Sequence, residues 1–489
     1  NGDNGDNGDN GDNGDNGDNG DQPNSLQQDA VDNGQVQFVD APNLSIDPNT
    51  YAVTDHGVSI ATPLPDGLED HQYVGAIDPN GDVWWQAWAV RDDDIDGDLG
   101  NGEFHPLQAE IEGGSLTGAD ANACSSVNAD FADGGVVSIF GEEFPVCVIS
   151  GDITADTTLA NNHVFVVDGI VKVGDGDAEL GPSGNNNAVL TIPEGTQIYA
   201  AEETDSAIRV TRGSQIQVSG SEDLPVIMGA VAFDSDATDV ITGDVTDLAG
   251  RGDWGGLILN GFGIDNNANA NDEVVSEAAP DGATPYFGGA NNDDSSGNIS
   301  YLIIAESGWA FRPNEEVQGL TLEGVGRGTS IDHLQVIGSE DDGIEWFGGA
   351  ASVQYALIQG AQDDSLDMDE GFVGNVQNVL VLQGSANGDR GIESDNQGDN
   401  FDAEPRTAPN LANLTILGNA GLPENSTRGA LHREGFGGKV YRSVYSDNLV
   451  AGTAFEAGCL DIDDQLPASL EYFDTAFNCS PENLTAADD

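Results

Sequence analysis

Short apolar segments that each end in glycine recur along the chain, and this repeat constrains the fold more than any other feature. Four of them align well: Ile331–Gly338 (IDHLQVIG), Val353–Gly360 (VQYALIQG), Val376–Gly384 (VQNVLVLQG) and Leu411–Gly418 (LANLTILG). Their closing glycines are 22 and 24 residues apart, and then 34 where an insertion rich in Asn, Asp and Pro intervenes. A period of this length, with β-branched residues in each segment, is typical of a solenoid of stacked coils. We therefore expect an all-β chain built on a right-handed parallel β-helix.

Two other fold classes fit the repeat poorly. Helices are disfavoured because Gly and Asn interrupt the chain about every dozen residues. The strands of a β-sandwich would not carry such a repeat. The pattern predicts a low-complexity arm at 1–21, a β-rich N-terminal module at 22–150, the β-helix at 151–458 and a C-terminal cap at 459–489.

The N-terminal arm consists of seven copies of Asn-Gly-Asp. Three interpretations stay open: a flexible acidic tether, a short three-fold extended helix with Gly at its axis, and a calcium-binding acidic tract. If the arm is ordered, we expect a neighbouring subunit to order it.

The net charge of −74, from 87 acidic and 13 basic residues, excludes several classes of protein. No basic patch can form against phosphates, so a nucleic-acid partner is excluded, and attachment to an anionic lipid surface by charge is equally disfavoured. The sequence contains no apolar stretch of 18 residues, which is the feature that would indicate a transmembrane segment. Because this much negative charge repels itself in a compact state, we expect cations to compensate for it.

The four cysteines lie in two local pairs. Three connectivities are open, and we favour Cys124–Cys147 with Cys459–Cys479, because each bond would close a short loop beside one end of the solenoid. Paired cysteines, few lysines and high acidity together predict an extracellular or bacterial cell-surface protein, where calcium is abundant.

A 12-residue segment matches the calcium-loop pattern D-x-D-x-D-G-x5-E, with Gly97 at its turn. This segment resembles the loop of an EF-hand, although Pro106 interrupts the position of the exiting helix. The alternative is an acidic surface turn. The predicted ligands are Asp92, Asp94, Asp96, Asp98 and Glu103.

The sequence predicts strands at 53–60 and 83–90. Three tryptophans, Trp84, Trp85 and Trp88, lie in the second of them. Alternation along a strand would place Trp84 and Trp88 on one face and Trp85 on the other. Burial of at least two of them in a core is the simpler interpretation, and a sugar-stacking platform is the alternative.

Acidic residues follow the aligned strands in matching positions. Coils stacked about 4.8 Å apart would place these carboxylates above one another, where they would repel unless divalent cations bridged them. A solvated acidic edge and a catalytic cluster are the alternatives. The predicted calcium ladder is Glu345, Asp367, Asp369, Glu393 and Asp395.

The catalytic alternative comes from secreted β-helix enzymes that cleave polysaccharides with carboxylates, calcium or a basic residue. Arg390 lies close to the ladder in the sequence. The exposed aromatic residues of a sugar groove would then be Trp309, Trp346 or Phe372. The catalytic set would be Asp367, Asp369, Glu393, His432 and Arg433.

Several motifs resemble those of a group of secreted bacterial parallel β-helix proteins, many of them lipoproteins with an acidic Gly/Asp/Asn repeat near the N-terminus. The resemblance spans about 160–450 and implies a secreted β-helix without indicating a particular activity. The motifs are RGDWGG from Arg251, YFGG from Tyr286, FRPNE from Phe311, GVGRGT from Gly324, DDGIEWFGG from Asp341 and ESDN from Glu393.

The sequence therefore predicts an extracellular, calcium-stabilised structural or surface protein. Unpaired strand edges at the two ends of a solenoid and the repetitive arm favour self-assembly into a filament or layer. A polysaccharide-binding or polysaccharide-cleaving protein and a surface-tethered adhesin are the alternatives.

Overall fold

The computed structural model describes residues 25–41, 44–90, 104–179, 186–202, 204–246, 248, 250–280, 283–312, 317–383, 388–418, 429–446, 459–463 and 465–478. Within these ranges the helices are α1 (Ser25–Asp32), α2 (Gln108–Gly113) and α3 (Cys124–Val127). The strands before the regular coils are β1 (Val36–Asp40), β2 (Ser45–Ile46), β3 (Val53–Asp55), β4 (Ala132–Ile139), β5 (Glu142–Ile149), β6 (Thr157–Thr158), β7 (Val164–Val167), β8 (Ile170–Val173), β9 (Val189–Pro193), β10 (Gln197–Ala201), β11 (Ala207–Val210), β12 (Gln215–Ser219), β13 (Val226–Val231), β14 (Leu257–Asn260), β15 (Val274–Val275) and β16 (Tyr286–Phe287). The later strands are β17 (Gly297–Ala305), β18 (Leu320–Glu323), β19 (Ser330–Ile337), β20 (Ile344–Phe347), β21 (Ser352–Gln359), β22 (Leu366–Asp369), β23 (Asn375–Leu382), β24 (Glu393–Ser394), β25 (Asn410–Leu417), β26 (Leu431–His432), β27 (Lys439–Tyr441), β28 (Val444–Ser446), β29 (Asp461–Ile462) and β30 (Glu471–Asn478).

Long and short strands alternate along the coils, and each pairs in parallel with its counterpart one coil later. For example, β19 pairs with β21 and β21 with β23 in a 17-stranded sheet. The short strands, among them β18, β20 and β22, form a second, 9-stranded sheet. The predicted parallel β-helix is confirmed. We call these the long sheet and the short sheet.

The long strands β17, β19, β21, β23, β25 and β30 each bend at the fourth or fifth residue, where a residue other than glycine has a positive φ, and Arg442 has the same conformation between β27 and β28. Such backbone is unusual for side chains with a Cβ, and it turns one continuous strand onto two faces of the coil. Because the bends lie at equivalent register positions, their side chains form a column that we call the bend column. Its members, with φ between 49° and 57°, are Tyr301, His333, Tyr355, Asn378, Asn413, Arg442 and Asp474.

The long sheet is buried on both sides beyond the bend. In β19 and β21 the last four residues are all buried, whereas the first three alternate between faces. Inward side chains such as Val336 and Ile358 join the core inside the coils, and outward ones such as Ile337 and Leu357 join a second apolar core. Burial on both faces explains why the sequence there is continuously apolar.

Residues 44–90, which we call the strap, cover part of the second core, to which segments within 107–148 and 240–248 also contribute. The strap runs along the coils in reverse order: Thr62 is bonded to Asp474 in the last coil, Ala76 to Thr415, and Val90 to Gln335. Trp85 and Trp88 are buried in the second core, which confirms the expected core role of two tryptophans.

Two strand predictions within the strap are wrong. Residues 83–90 form turns rather than a strand, and the strand predicted at 53–60 is limited to β3. Turns allow Trp84 and Trp88 both to reach His333, with ring centroids 6.3 and 6.1 Å from its ring. Packing against the bend column therefore sets the backbone here, overriding β propensity.

The chain's own segments cover both ends of the described solenoid. Strand β1 pairs in parallel with β30, and Ala30 of α1 lies in the inner core. At the other end, the antiparallel hairpin β4–β5 adds to β7. The predicted disulfide Cys124–Cys147 is present and joins α3 to β5. Cys459 is disulfide-bonded, and its predicted partner Cys479 lies outside the described residues, as does the arm at 1–21.

Candidate metal centre

The predicted carboxylate ladder lies on the outer face of the short sheet. Glu345 pairs with Asp367, and Asp367 pairs with Glu393, so the three occupy successive coils in register. Their strand neighbours Trp346 and Met368 point into the inner core. Alternation therefore turns the carboxylates outward, as the period-2 pattern of a strand requires.

Two groups of carboxylates approach closely enough to share an ion. One oxygen each from Asp342, Glu345 and Asp367 lie within 4.8 Å of one another, and the same holds for Asp341, Asp342 and Asp363. Asp342 belongs to both groups. We call these five residues the carboxylate cluster.

Two carboxylate oxygens of the cluster lack a donor among the described residues. They are Oε2 of Glu345 and Oδ1 of Asp367, both removed from solvent. Glu345 is only 7% exposed. Buried polar atoms normally have hydrogen-bond partners, so an unpartnered oxygen on each of two register-paired carboxyl groups indicates that a cation or a proton would satisfy them.

Arginines neutralise one side of the ladder only. Arg390 Nη1 lies 2.6 Å from Asp389 Oδ2 and 3.3 Å from Glu393 Oε2. Arg433 Nε lies 2.9 Å from Asp395 Oδ1 and 3.5 Å from Glu393 Oε1.

On the other side of Glu345, the preceding coil offers neutral groups in the positions that face the cluster. Thr321 pairs with Glu345, and Gln318 donates to Asp341 Oδ2 at 3.2 Å. The excess negative charge is therefore concentrated around Asp342, Glu345 and Asp367.

Burial dominates the electrostatics of the cluster. Burial, with the Glu393 carboxylate next in effect, raises the pKa of Asp367 to about 7. It also raises the pKa of Glu345 and of Asp342 well above the ordinary range, with further contributions from Glu277 and Asp341 respectively. Burial disfavours the charged form, and neighbouring carboxylates add to that effect. A divalent cation would relieve both.

Two further predicted ladder residues lie beside the cluster. The backbone N–H of Asp395 donates to Met368 O at 2.9 Å, and its carboxylate is held by Arg433. The pKa of Asp369 is raised by burial and by Glu370. The predicted loop ligands Asp92, Asp94, Asp96, Asp98 and Glu103 lie outside the described residues.

His432, a member of the alternative catalytic set, points into the inner core. Its Nε2 lies 2.5 Å from the Tyr472 hydroxyl and its Nδ1 3.0 Å from Ser394 Oγ, and its ring stacks on Phe436. Complete burial lowers the pKa of His432 to about 3. His432 is thus neutral and remote from the outward carboxylates, whereas Asp367, Glu393 and Arg433 do come together.

Two of the aromatic residues expected in a sugar groove are also internal. Trp346 and Phe372 stack at 5.2 Å between ring centroids, and both are fully buried. Trp309 is half-buried, and its Nε1 donates to Asp205 Oδ1 at 3.1 Å.

The sequence contained an unused signal for the remaining cluster residues. Asp341-Asp342 and Asp363-Asp364 are Asp-Asp pairs 22 residues apart, the same interval as that between Gly338 and Gly360. Aligning the turns as well as the strands would have placed them on neighbouring coils. In the structure Asp364 N donates to Asp342 Oδ1 at 2.8 Å.

Comparison with known proteins supports the fold. A family model described as a pectate-lyase-like β-helix domain matches residues 151–477. No curated protein and no solved structure matches the chain. Among the described residues, no helix is both long and apolar enough to span a membrane. The matched region covers most of the chain and coincides with the stacked coils, so this protein belongs to the pectate-lyase-like β-helix family.

Proposed function

We propose that this protein is an extracellular surface β-helix whose carboxylate cluster binds calcium as a structural ion. The observation that carries the proposal is that Glu345 and Asp367 each have a buried, unpartnered oxygen and belong, with Asp342, to a group whose carboxylates bring one oxygen each within 4.8 Å of one another. One divalent ion would supply the missing partner of both and offset the charge that the arginines leave uncompensated.

The donor set favours calcium over other divalent ions. The cluster offers carboxylate oxygens without a histidine or cysteine, which disfavours zinc and copper. Its members come from two turns and two strands, and Asp341 and Asp363 remain open to solvent. An irregular, oxygen-rich shell of this kind suits the flexible coordination of calcium better than the strict octahedron of magnesium.

Calorimetric titration of the chelated protein with calcium tests the proposal. The predicted loop at 92–103 would add a second site, so the titration is made in an Asp92→Asn/Glu103→Gln background. With the carboxylate cluster unchanged, the titration should then show one remaining calcium site. Glu345→Gln should weaken the calcium affinity of that site at least tenfold.

The matched control is Asp223→Asn, which removes an exposed carboxylate on the surface. It should leave calcium affinity unchanged. Equal affinity in the Glu345→Gln and control proteins would contradict the assignment of the site.

Self-assembly through the arm at 1–21 remains part of the proposal, but the covered ends change its geometry. Because β1 and the β4–β5 hairpin, rather than regular coil strands, form the terminal edges of the long sheet, end-to-end growth would have to add to these segments, and we expect lateral contacts instead. Electron microscopy of purified protein with and without calcium tests this; monodisperse particles in both conditions would refute it.

A role with acidic polysaccharides is the second candidate, and the family match favours it. Asp367, Glu393 and Arg433 meet on an outer face, and a calcium ion bound beside Asp341 and Asp363 would face solvent. Incubation with polygalacturonate tests this role. Calcium-dependent binding or the release of unsaturated ends, lost in Arg433→Ala with the fold intact, would support it, and absence of both would remove it.

A further inference from the structure

The strap contacts the bend column on every coil from the last long strand back to β17. At the polar end, Asp474 Oδ2 accepts from the backbone N–H of Ala61 and of Thr62, at 3.0 and 2.7 Å. Arg442 donates to Asp70 Oδ1 and to Thr62 O, both at 2.9 Å.

Further along the bend column, the strap contacts polar side chains first and then aromatic ones. Asn413 donates to Tyr73 O at 2.9 Å. Tyr355 O–H donates to Glu69 Oε2 at 2.7 Å. Trp88 packs edge-on against Tyr301, 5.6 Å between ring centroids. Each of these coils therefore has at least one contact with the strap, although Glu69 contacts an earlier coil than Tyr73 does.

Side chains, rather than a β-ladder, hold the strap to the coils. Within residues 44–90 the strand pairing is that of β2 with β3, both inside the strap. By contrast, β19, β21, β23 and β25 are joined to one another by pairing along their whole length. At two places a buried glutamine side chain makes the paired hydrogen bonds that a neighbouring strand would otherwise make. The Gln335 side chain accepts from N and donates to O of Val90, and the Gln377 side chain does the same with Glu69.

This difference in attachment separates two levels of stability. The coils share continuous hydrogen-bonded ladders and an inner core that does not involve the strap. The strap is attached through the second core, through a small apolar cluster of Val53 and Val74 with Val444 and Ala476, and through isolated polar contacts. Segments attached in this way belong to the part of a protein that opens before global unfolding.

We infer that the strap is a releasable cover, which undocks as one unit while the coils beneath it stay folded. Undocking exposes the apolar outer face of the long sheet, including Ile337, Leu357 and Leu380. The fold thus contains a conformational device that hides or presents one face.

Hydrogen exchange with a pair of glycine variants tests the inference. Gly75 has a φ of 87°, and a Cβ there would lie 2.7 Å from Thr415 Oγ1 in the coil beneath and 2.8 Å from Val53 Cγ2 within the strap. Gly57 has a φ of 66°, but nothing lies within 4 Å of a Cβ at that position. Gly75→Ala and Gly57→Ala therefore impose a similar backbone cost, and only the first opposes docking.

The wild-type protein should show strap amides that exchange together and at least tenfold faster than those of β19–β25. Gly75→Ala should accelerate amide exchange in the strap a further tenfold and leave exchange of the coil amides unchanged. It should also increase the fluorescence of the dye ANS. Gly57→Ala should do much less. The inference is overturned if strap and coils exchange at one common rate in the wild type, or if the two variants behave alike.

Discussion

Replacing Glu345 with glutamine should change stability in opposite directions with and without calcium. The amide keeps the size of the side chain and removes one charge from the cluster. Without a cation, Glu345 only adds repulsion to Asp342 and Asp367. With calcium bound, it is a charged ligand, and its loss weakens the site.

The structure sets the size of the effect. Two unit charges 4.8 Å apart repel by about 3.5 kcal/mol at an effective dielectric of about 20. Proton uptake relieves part of this, since the pKa of Asp367 is raised to about 7 from its ordinary 3.8. We expect Glu345→Gln to stabilise the chelated protein by about 2 kcal/mol at high pH, allowing for partial solvent screening. In saturating calcium, a tenfold to hundredfold loss of affinity would cost about 1.4 to 2.7 kcal/mol.

The chelated wild-type protein should also depend on pH in a defined direction. Carboxyl groups whose pKa is raised by folding bind more protons in the native state than in the unfolded state. Their destabilising effect is therefore absent below the unfolded pKa near 4 and grows as pH rises through the folded pKa of Asp367, about 7. Glu345→Gln should flatten this slope.

Denaturant unfolding between pH 4 and 8, with EGTA or with excess calcium, measures both effects. Asp223→Asn serves as the control for the loss of one exposed charge. A Glu345→Gln protein that is destabilised equally in EGTA and in calcium would refute the reasoning, because the residue would then act only through packing.

Three further predictions concern other parts of the chain. Replacing both Cys124 and Cys147, which are 23 residues apart, with serine should lower the free energy of unfolding by about 3 kcal/mol in the chain-entropy account, measured by denaturant titration of the double variant beside the wild type; an unchanged midpoint would contradict it. Trp346→Ala should cost about 3 to 5 kcal/mol because the side chain is fully buried against Phe372, and a thermal shift no larger than that of the half-buried Trp309→Ala would argue against this packing. Changing Asp92 to Asn in the predicted loop should remove one calcium ion per chain in equilibrium dialysis, whereas an unaltered stoichiometry would eliminate the loop as a site.

The repeat predicted the coils well because each coil is a local unit. Strands such as β19 and β21 carry their own apolar pattern and closing glycine, and neighbouring coils make equivalent contacts. The register of Glu345, Asp367 and Glu393 followed from the same alignment. Asp342 was missed because it lies in a turn, where no apolar pattern marks the register.

The strap could not be predicted in the same way. Its contacts join residues far apart in sequence, such as Arg442 with Asp70, and depend on side chains that the bend turns outward. Nothing in the local sequence of His333 or Tyr355 announces a positive φ, which residues with a Cβ rarely adopt. The tryptophans beside Val83 favour a strand by propensity, and tertiary packing overrides that preference.

The pairing of β1 with β30 constrains when this protein can finish folding. Gln35 donates to Pro467 O at 3.0 Å across 432 residues of sequence, so the last coil acquires its cover only after nearly the whole chain has been made. Closing so long a loop is slow, and contacts of this separation come late in folding. Until then the N-terminal residues, which are synthesised before the coils, lack their final partner. The outer face of each new coil stays uncovered until the strap docks on it. Refolding from denaturant should therefore be biphasic, with coil formation preceding the docking of the N-terminal segment.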